Sequence, residues 1–87
     1  MQKIDFNTFV LSVSTAAFIG LGLREAPGAD KPEVDLSLAK QNIDLLEMIQ
    51  EKTKNNLSEE EKKLLENLLY ETRMRFVEVQ RNMDIKK

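Results

Sequence analysis

From Phe6 to Leu23 the sequence contains no charged residue, although Asp, Glu, Lys and Arg make up 32% of the 87-residue chain. Asp5, directly before this stretch, is a suitable helix N-cap because its carboxylate can accept a backbone N–H from the first turn. A helix on a protein surface normally carries a charged face opposite its apolar stripe. The sequence therefore predicts an apolar helix over about residues 5–22 that is covered on more than one side.

Three environments could cover this helix. A bilayer is one, because 18 uncharged residues reach the lower limit for a transmembrane helix. The run also contains polar residues, which disfavour insertion: Asn7, Thr8, Ser12, Ser14 and Thr15. The remainder of the chain is the second environment, and another copy of the chain is the third. Membrane association is possible, but it is not the favoured hypothesis.

Small residues recur at every fourth position of the predicted helix. They are Thr8, Ser12, Ala16 and Gly20. A row of small side chains lets two helix backbones approach closely. Together with the missing charged face, this row favours the hypothesis that the helix is buried partly in its own chain and partly against a second copy.

A loop and a second helix are predicted next. Pro27, Gly28 and Pro32 interrupt any helical pattern, which makes residues 23–34 a loop. Asp35 is the N-cap candidate of a helix over about residues 35–54. Apolar residues follow at the three- and four-residue spacings of one helix face: Leu36, Ala39, Ile43 and Leu46.

The third helix, over about residues 58–83, has the clearest start signal in the chain. Ser58 and Glu61 have the spacing of a capping box. Its apolar residues then recur in an a/d heptad pattern at Leu65, Leu69, Thr72, Phe76, Val79 and Met83. The short connection makes the second and third helices an antiparallel hairpin. We therefore predict an all-α fold with one domain, residues 1–87, completed by oligomerisation and ending in a tail over residues 84–87.

Charge is distributed unevenly along the third helix. Residues 57–71 contain five acidic and two basic side chains, net −3, whereas residues 72–87 contain two acidic and five basic ones, net +3. One interpretation is compensation of the helix dipole together with i,i+4 ion pairs. The other is an antiparallel meeting of two copies of this helix, in which such a layout is self-complementary.

The positions of three more side chains on this helix predict what each of them contacts. Tyr70 flanks the apolar rows and is expected to be half-buried, with its hydroxyl at the rim. Arg73 and Arg75 are expected to pair with nearby glutamates, and each is also a candidate interface anchor. The glutamates in reach are Glu66, Glu71 and Glu78.

The composition argues against catalysis. The chain has no Cys and no His, so thiol nucleophiles, Cys-ligated metals and the commonest acid–base and metal-binding side chain are lacking. Gly20, Gly22 and Gly28 do not form a phosphate-binding loop. A net charge of −2 does not suggest nucleic-acid binding. We expect no enzymatic activity, no cofactor and no metal; a small-ligand site built from Tyr70, Arg73 and Arg75 is an alternative.

Several stretches resemble a family of short bacterial proteins known as domain of unknown function 1844. The most specific are FVLS at residues 9–12, the run from 38 to 46 that begins LAKQ, and LLY at 68–70 followed by RMR at 73–75. The resemblance covers roughly residues 5–79. It implies a bacterial source and a cytoplasmic location, and it brings no activity or site residues.

The hypothesis that joins these observations is a helical interaction or structural protein. We expect it to self-associate through the first helix and the seam of the third, as a dimer, and to present a surface to an unknown protein partner. The candidate interface residues are Phe9, Ser12, Val13, Ala16, Gly20, Leu65, Leu69, Arg73, Arg75 and Phe76.

Overall fold

The computed structural model describes residues 5–85, which form three helices: α1 (Phe6–Gly20), α2 (Leu36–Lys52) and α3 (Glu59–Ile85). This confirms the predicted all-α fold of an apolar helix followed by a helical hairpin. Every helix end lies within two residues of its predicted position. Because α3 continues to Ile85, the first half of the predicted tail is helical; residues 86 and 87 lie outside the described part.

Aspartate side chains cap the first two helices as predicted. Asp5 Oδ1 accepts a hydrogen bond from the Thr8 N–H at 2.7 Å, and Asp35 Oδ1 accepts one from the Leu38 N–H at 3.1 Å. Each bond satisfies a backbone donor that has no partner within the first helical turn. The cap residues therefore fix where α1 and α2 begin.

The turn between α2 and α3 contains the predicted capping box. Asn55 adopts a left-handed conformation with φ 69°, which Asn tolerates better than most residues. The Ser58 N–H donates to Glu61 Oε1 at 2.9 Å, and the Glu61 N–H donates to Ser58 Oγ at 3.2 Å. This reciprocal pair is a capping box, and it starts α3 immediately after the turn.

A backbone hydrogen bond holds the end of α1 against the start of α2, and the loop between the two helices begins and ends there. Gly22 has φ 74°, and the Leu23 N–H donates to the Phe18 carbonyl at 3.1 Å, as in a Schellman motif. The Asp35 N–H then donates to the Gly20 carbonyl at 2.7 Å, beside a bridge between Leu21 and Val34. The loop between the two helices thus leaves and returns at one point, which we call the neck (Gly20–Gly22 and Val34–Asp35).

The core lies where all three helices meet. α1 runs antiparallel to α2, because its Gly20 lies beside Ala39 near the start of α2 while its Val10 and Val13 pack near the end. The buried cluster consists of Val10, Val13, Leu46, Ile49, Leu65 and Leu69. Side chains from all three elements contribute, so α1 is part of the monomer's core.

One polar residue continues this core along α3. Thr72 is fully buried, and its hydroxyl donates to the Leu68 carbonyl at 2.8 Å. A buried hydroxyl costs little free energy when it is hydrogen-bonded within its own helix. Beyond Thr72 the predicted seam emerges from the core: Phe76 and Val79 are partly buried, and Met83 is 45% exposed.

Candidate interaction surfaces

The side of α1 that faces away from the core is uncharged and exposed. Phe9 and Leu11 are 44% and 46% exposed, and Thr8 and Ser12 are exposed beside them. We call these four residues the α1 outer face. The hairpin of α2 and α3 covers only one side of α1, so the geometry anticipated from the sequence is present: an apolar helix that its own chain covers in part.

The predicted row of small residues does not lie on this face along its whole length. Thr8 and Ser12 are exposed and Ala16 is partly buried, whereas Gly20 is buried against the start of α2. A Cβ at Gly20 would lie 2.5 Å from the Ala39 backbone nitrogen. Residues four apart advance by 400°, which is 40° more than a full turn. The row therefore winds from solvent onto α2, and Gly20 serves contact within the chain.

Three other predicted interface residues also belong to the core of a single chain. Val13 is 7% exposed, and Leu65 and Leu69 are each 1% exposed. The heptad pattern correctly predicted that Leu65 and Leu69 lie on one buried seam, but the contacts that bury them come from α1 and α2. Phe76 is partly buried further along that seam. The buried half of the seam is thus occupied within the monomer.

Arg73 and Arg75 on α3 form ion pairs, one of them with an unexpected partner. Arg75 lies 3.1 Å from Glu78 and 3.6 Å from Glu71, which confirms the predicted pairing along the helix. Arg73 instead reaches across to α2, where its Nη2 lies 2.9 Å from a carboxylate oxygen of Glu47. These pairs are about half exposed, and such pairs contribute roughly 1 kcal/mol or less.

A second exposed apolar surface lies on α3. Tyr70 is 65% exposed rather than half-buried as predicted, Met74 is 39% exposed and Val77 is 49% exposed. At 100° per residue these three side chains fall on the side of α3 opposite Leu69 and Thr72. The signal was available in the sequence as an i, i+4, i+7 spacing, but the stronger seam on the other side of the helix masked it.

Grooves lie between and along the helices. One of about 630 Å³ lies beside the α2–α3 turn and is lined mainly by polar and charged side chains such as Glu51, Lys62 and Glu66. Tyr70 and Arg73 share a smaller groove of about 490 Å³ with Met74 and Val77. Arg75 lines neither, so the three residues of the predicted ligand site do not converge on one cavity.

In residues 5–85, neither a bilayer-spanning helix nor a cluster of metal-binding side chains is found. Within this range no helix combines the length and the apolar character needed to cross a bilayer. In the same range, no three carboxylate side chains come close enough to hold a metal ion.

Comparison with known proteins places the chain in a family. The family model described as domain of unknown function 1844 matches residues 3–78. The chain belongs to this family. The match spans α1, α2 and α3 as far as Glu78, and thus the complete core and the α1 outer face. Searches of curated proteins and of solved structures return no match.

Proposed function

We propose that this member of the family is a helical interaction protein, without enzymatic activity, that assembles with a second copy of itself through the α1 outer face. The residues that form the contact are Thr8, Phe9, Leu11 and Ser12, with Ala16 at its edge. The bacterial cytoplasm is the location that the family resemblance supports.

The observation that carries this proposal is the absence of charge around the whole circumference of α1. No residue from Phe6 to Leu23 is charged, yet one side of the helix faces solvent with Phe9 and Leu11 exposed by 44% and 46%. Single exposed apolar residues are common on protein surfaces. A whole exposed helix face without one Lys, Arg, Asp or Glu is unusual, because charged residues normally occupy that position.

The shape of the α1 outer face suits another helix. Thr8 and Ser12 are short and lie one turn apart, so they let a partner backbone approach, while Phe9 and Leu11 on either side supply apolar area. Two copies related by a two-fold axis would bring the same face of each α1 together. Burying the exposed part of a large apolar side chain contributes about 25 cal/mol per Å².

The first test is the solution mass of the full-length protein, measured by light scattering on a size-exclusion column. We expect a dimer or a multiple of it. Leu11→Arg should then halve the mass, because it replaces one of the two large apolar side chains of the contact with a charge. Gly20→Leu would be a poor choice, since the added side chain would collide with Ala39 inside the monomer.

A matched control separates this effect from a general effect of adding charge. Leu23→Arg introduces the same side chain at a position that is 52% exposed in the loop, away from the α1 outer face. It should leave the mass unchanged. A wild-type protein that is monomeric at all concentrations, or a Leu11→Arg variant with the wild-type mass, would show that the proposal is wrong.

A further inference from the structure

One line of exposed residues runs along α3 on the side opposite the core. Its members follow each other at spacings of three and four: Lys63, Glu66, Tyr70, Met74, Val77, Arg81 and Asp84. We call this line the α3 stripe. At 1.5 Å per residue it is about 32 Å long, and on a helical projection all seven side chains fall within about 80° of arc. It is therefore a single surface with three apolar side chains in the centre and charges at both ends.

The order of charges along the stripe is its own complement when reversed. From the N-terminal end the sequence is a base, an acid, three apolar residues, a base and an acid. When a second α3 is laid antiparallel, Lys63 comes opposite Asp84, and Glu66 opposite Arg81. Tyr70 comes opposite Val77 in the same register. All three pairings are centred between residues 73 and 74, so one two-fold axis produces every pair twice.

The charges at the ends of the stripe are available for such pairing. In residues 5–85 the ion pairs are Lys40–Asp44, Arg73–Glu47 and the two pairs of Arg75. Within that range, none includes a charged member of the stripe. By contrast, the arginine next to the centre of the stripe, Arg73, is already held by α2. The α3 stripe thus combines an exposed apolar centre with two charged residues at each end. Among the described residues, none of these four forms an ion pair within the chain.

We infer that a second copy of this chain docks antiparallel on the α3 stripe. The inference rests on the proposed function, since it assigns a further surface to the same self-association. The apolar centre and charged periphery match the anatomy of protein interfaces, in which the charges determine register and partner more than affinity. With contacts at both the α1 outer face and the α3 stripe, two dimers can combine into a tetramer.

Two charge reversals test the inference because their effects must cancel when they are mixed. Glu66→Arg places two arginines opposite each other at both ends of the contact, and Arg81→Glu places two glutamates there. Either variant alone should lose the α3 contact, with an apparent Kd raised about tenfold or more. In an equimolar mixture, each variant finds opposite charges on the other at both ends. The α3 contact should return, with one copy of each variant on either side of it.

The readout is light scattering of the wild type, each variant and the mixture, with native mass spectrometry to identify the composition of the mixed species. Glu51→Arg and Lys54→Glu are the controls, because they make the same charge changes at exposed positions off the stripe. Both controls should keep the wild-type mass. Recovery of the wild-type mass only in the mixture also excludes misfolding as the cause of the single-variant defects.

The outcomes separate this inference from the proposed function. If the single variants keep the wild-type mass while Leu11→Arg lowers it, the α3 contact is wrong and the α1 contact stands. If the single variants dissociate and the mixture does not recover, the antiparallel register is wrong. If the mixture recovers while Leu11→Arg has no effect, the α3 stripe is an interface and the α1 outer face is not. A wild type that is monomeric throughout contradicts both.

Discussion

α1 and α3 both expose large apolar side chains on the side away from the core, but they pack into the core in different ways. α1 has no charged residue, and at Gly20 it packs so tightly on α2 that a Cβ there would lie 2.5 Å from the Ala39 backbone nitrogen. α3 is rich in charge and packs through long side chains, with Leu65 and Leu69 almost fully buried. At Gly20 the packing of α1 depends on the absence of a side chain, whereas the packing of α3 depends on two large ones.

Apolar content alone therefore does not determine which side of a helix is buried. In α1 the buried and exposed sides are both uncharged, and the position without a side chain, Gly20, faces α2. In α3 the heptad spacing decides, because its leucines recur on one side only. Substitutions at these positions should therefore act in opposite ways: truncation should damage α3 at Leu69, and enlargement should damage α1 at Gly20.

The largest effect is expected from truncating the buried side of α3. Leu69→Ala should lower the free energy of unfolding by about 2–5 kcal/mol, because it removes a fully buried side chain and leaves a cavity. Met74→Ala, a truncation on the opposite side of the same helix, should change it by about 0.5 kcal/mol or less at protein concentrations where the chain is monomeric. Urea denaturation followed by circular dichroism measures both, and equal effects would contradict the assigned orientation of α3.

A smaller effect is expected from enlarging the close contact of α1. Gly20→Ala should destabilise the monomer by about 1–3 kcal/mol, because the new Cβ would lie 2.5 Å from a backbone nitrogen that cannot move aside easily. Ser12→Ala, in the same row of small residues, should be close to neutral because Ser12 is exposed. Thermal unfolding of the two variants compares the two ends of the row. A neutral Gly20→Ala would mean that α1 and α2 can separate without cost.

The smallest effect is a pH dependence confined to the start of α1. Hydrogen bonding to the side chain and then to the backbone N–H of Thr8 holds the pKa of Asp5 below its ordinary value. A carboxylate with a lowered pKa stabilises the folded state fully above the pKa of the unfolded chain, about 3.9. This contribution is lost as the pH falls through the folded-state pKa.

Asp5→Asn keeps a capping side chain and removes the titration, so it is the matched control. The amide resonance of Thr8, followed by NMR between pH 6 and pH 2, should move in the wild type with a midpoint below that of an ordinary aspartate. In the variant, the transition should be missing. A wild-type midpoint at or above the ordinary value would contradict the capping hydrogen bond.

The helices and their ends could be predicted from the sequence because each depends on neighbours within a few positions. Asp5, Asp35 and the Ser58–Glu61 capping box are signals of that kind, and all three cap as expected. The pairing of Arg75 with residues three and four positions away is equally local. These features follow from helix geometry whatever the helices pack against.

The features that could not be predicted depend on which helix lies next to which face. Gly20 could have contacted another chain or α2, and only the crossing with Ala39 decides between them. Likewise, no glutamate of α3 lies three or four positions from Arg73, and its ion-pair partner, Glu47, comes from α2. Tyr70 is exposed because the leucines on the other side of α3 form the stronger apolar pattern and pack into the core.

The loop between α1 and α2 should tolerate inserted sequence because the neck holds its two ends together. The hydrogen bond from the Asp35 N–H to the Gly20 carbonyl and the bridge from Leu21 to Val34 hold the ends of the loop together. All residues from Leu23 to Glu33 are exposed. Doubling the length of a flexible loop raises its closure cost by only about 0.6 kcal/mol. An epitope or a fluorescent label inserted near Gly28 would therefore leave the helical packing intact.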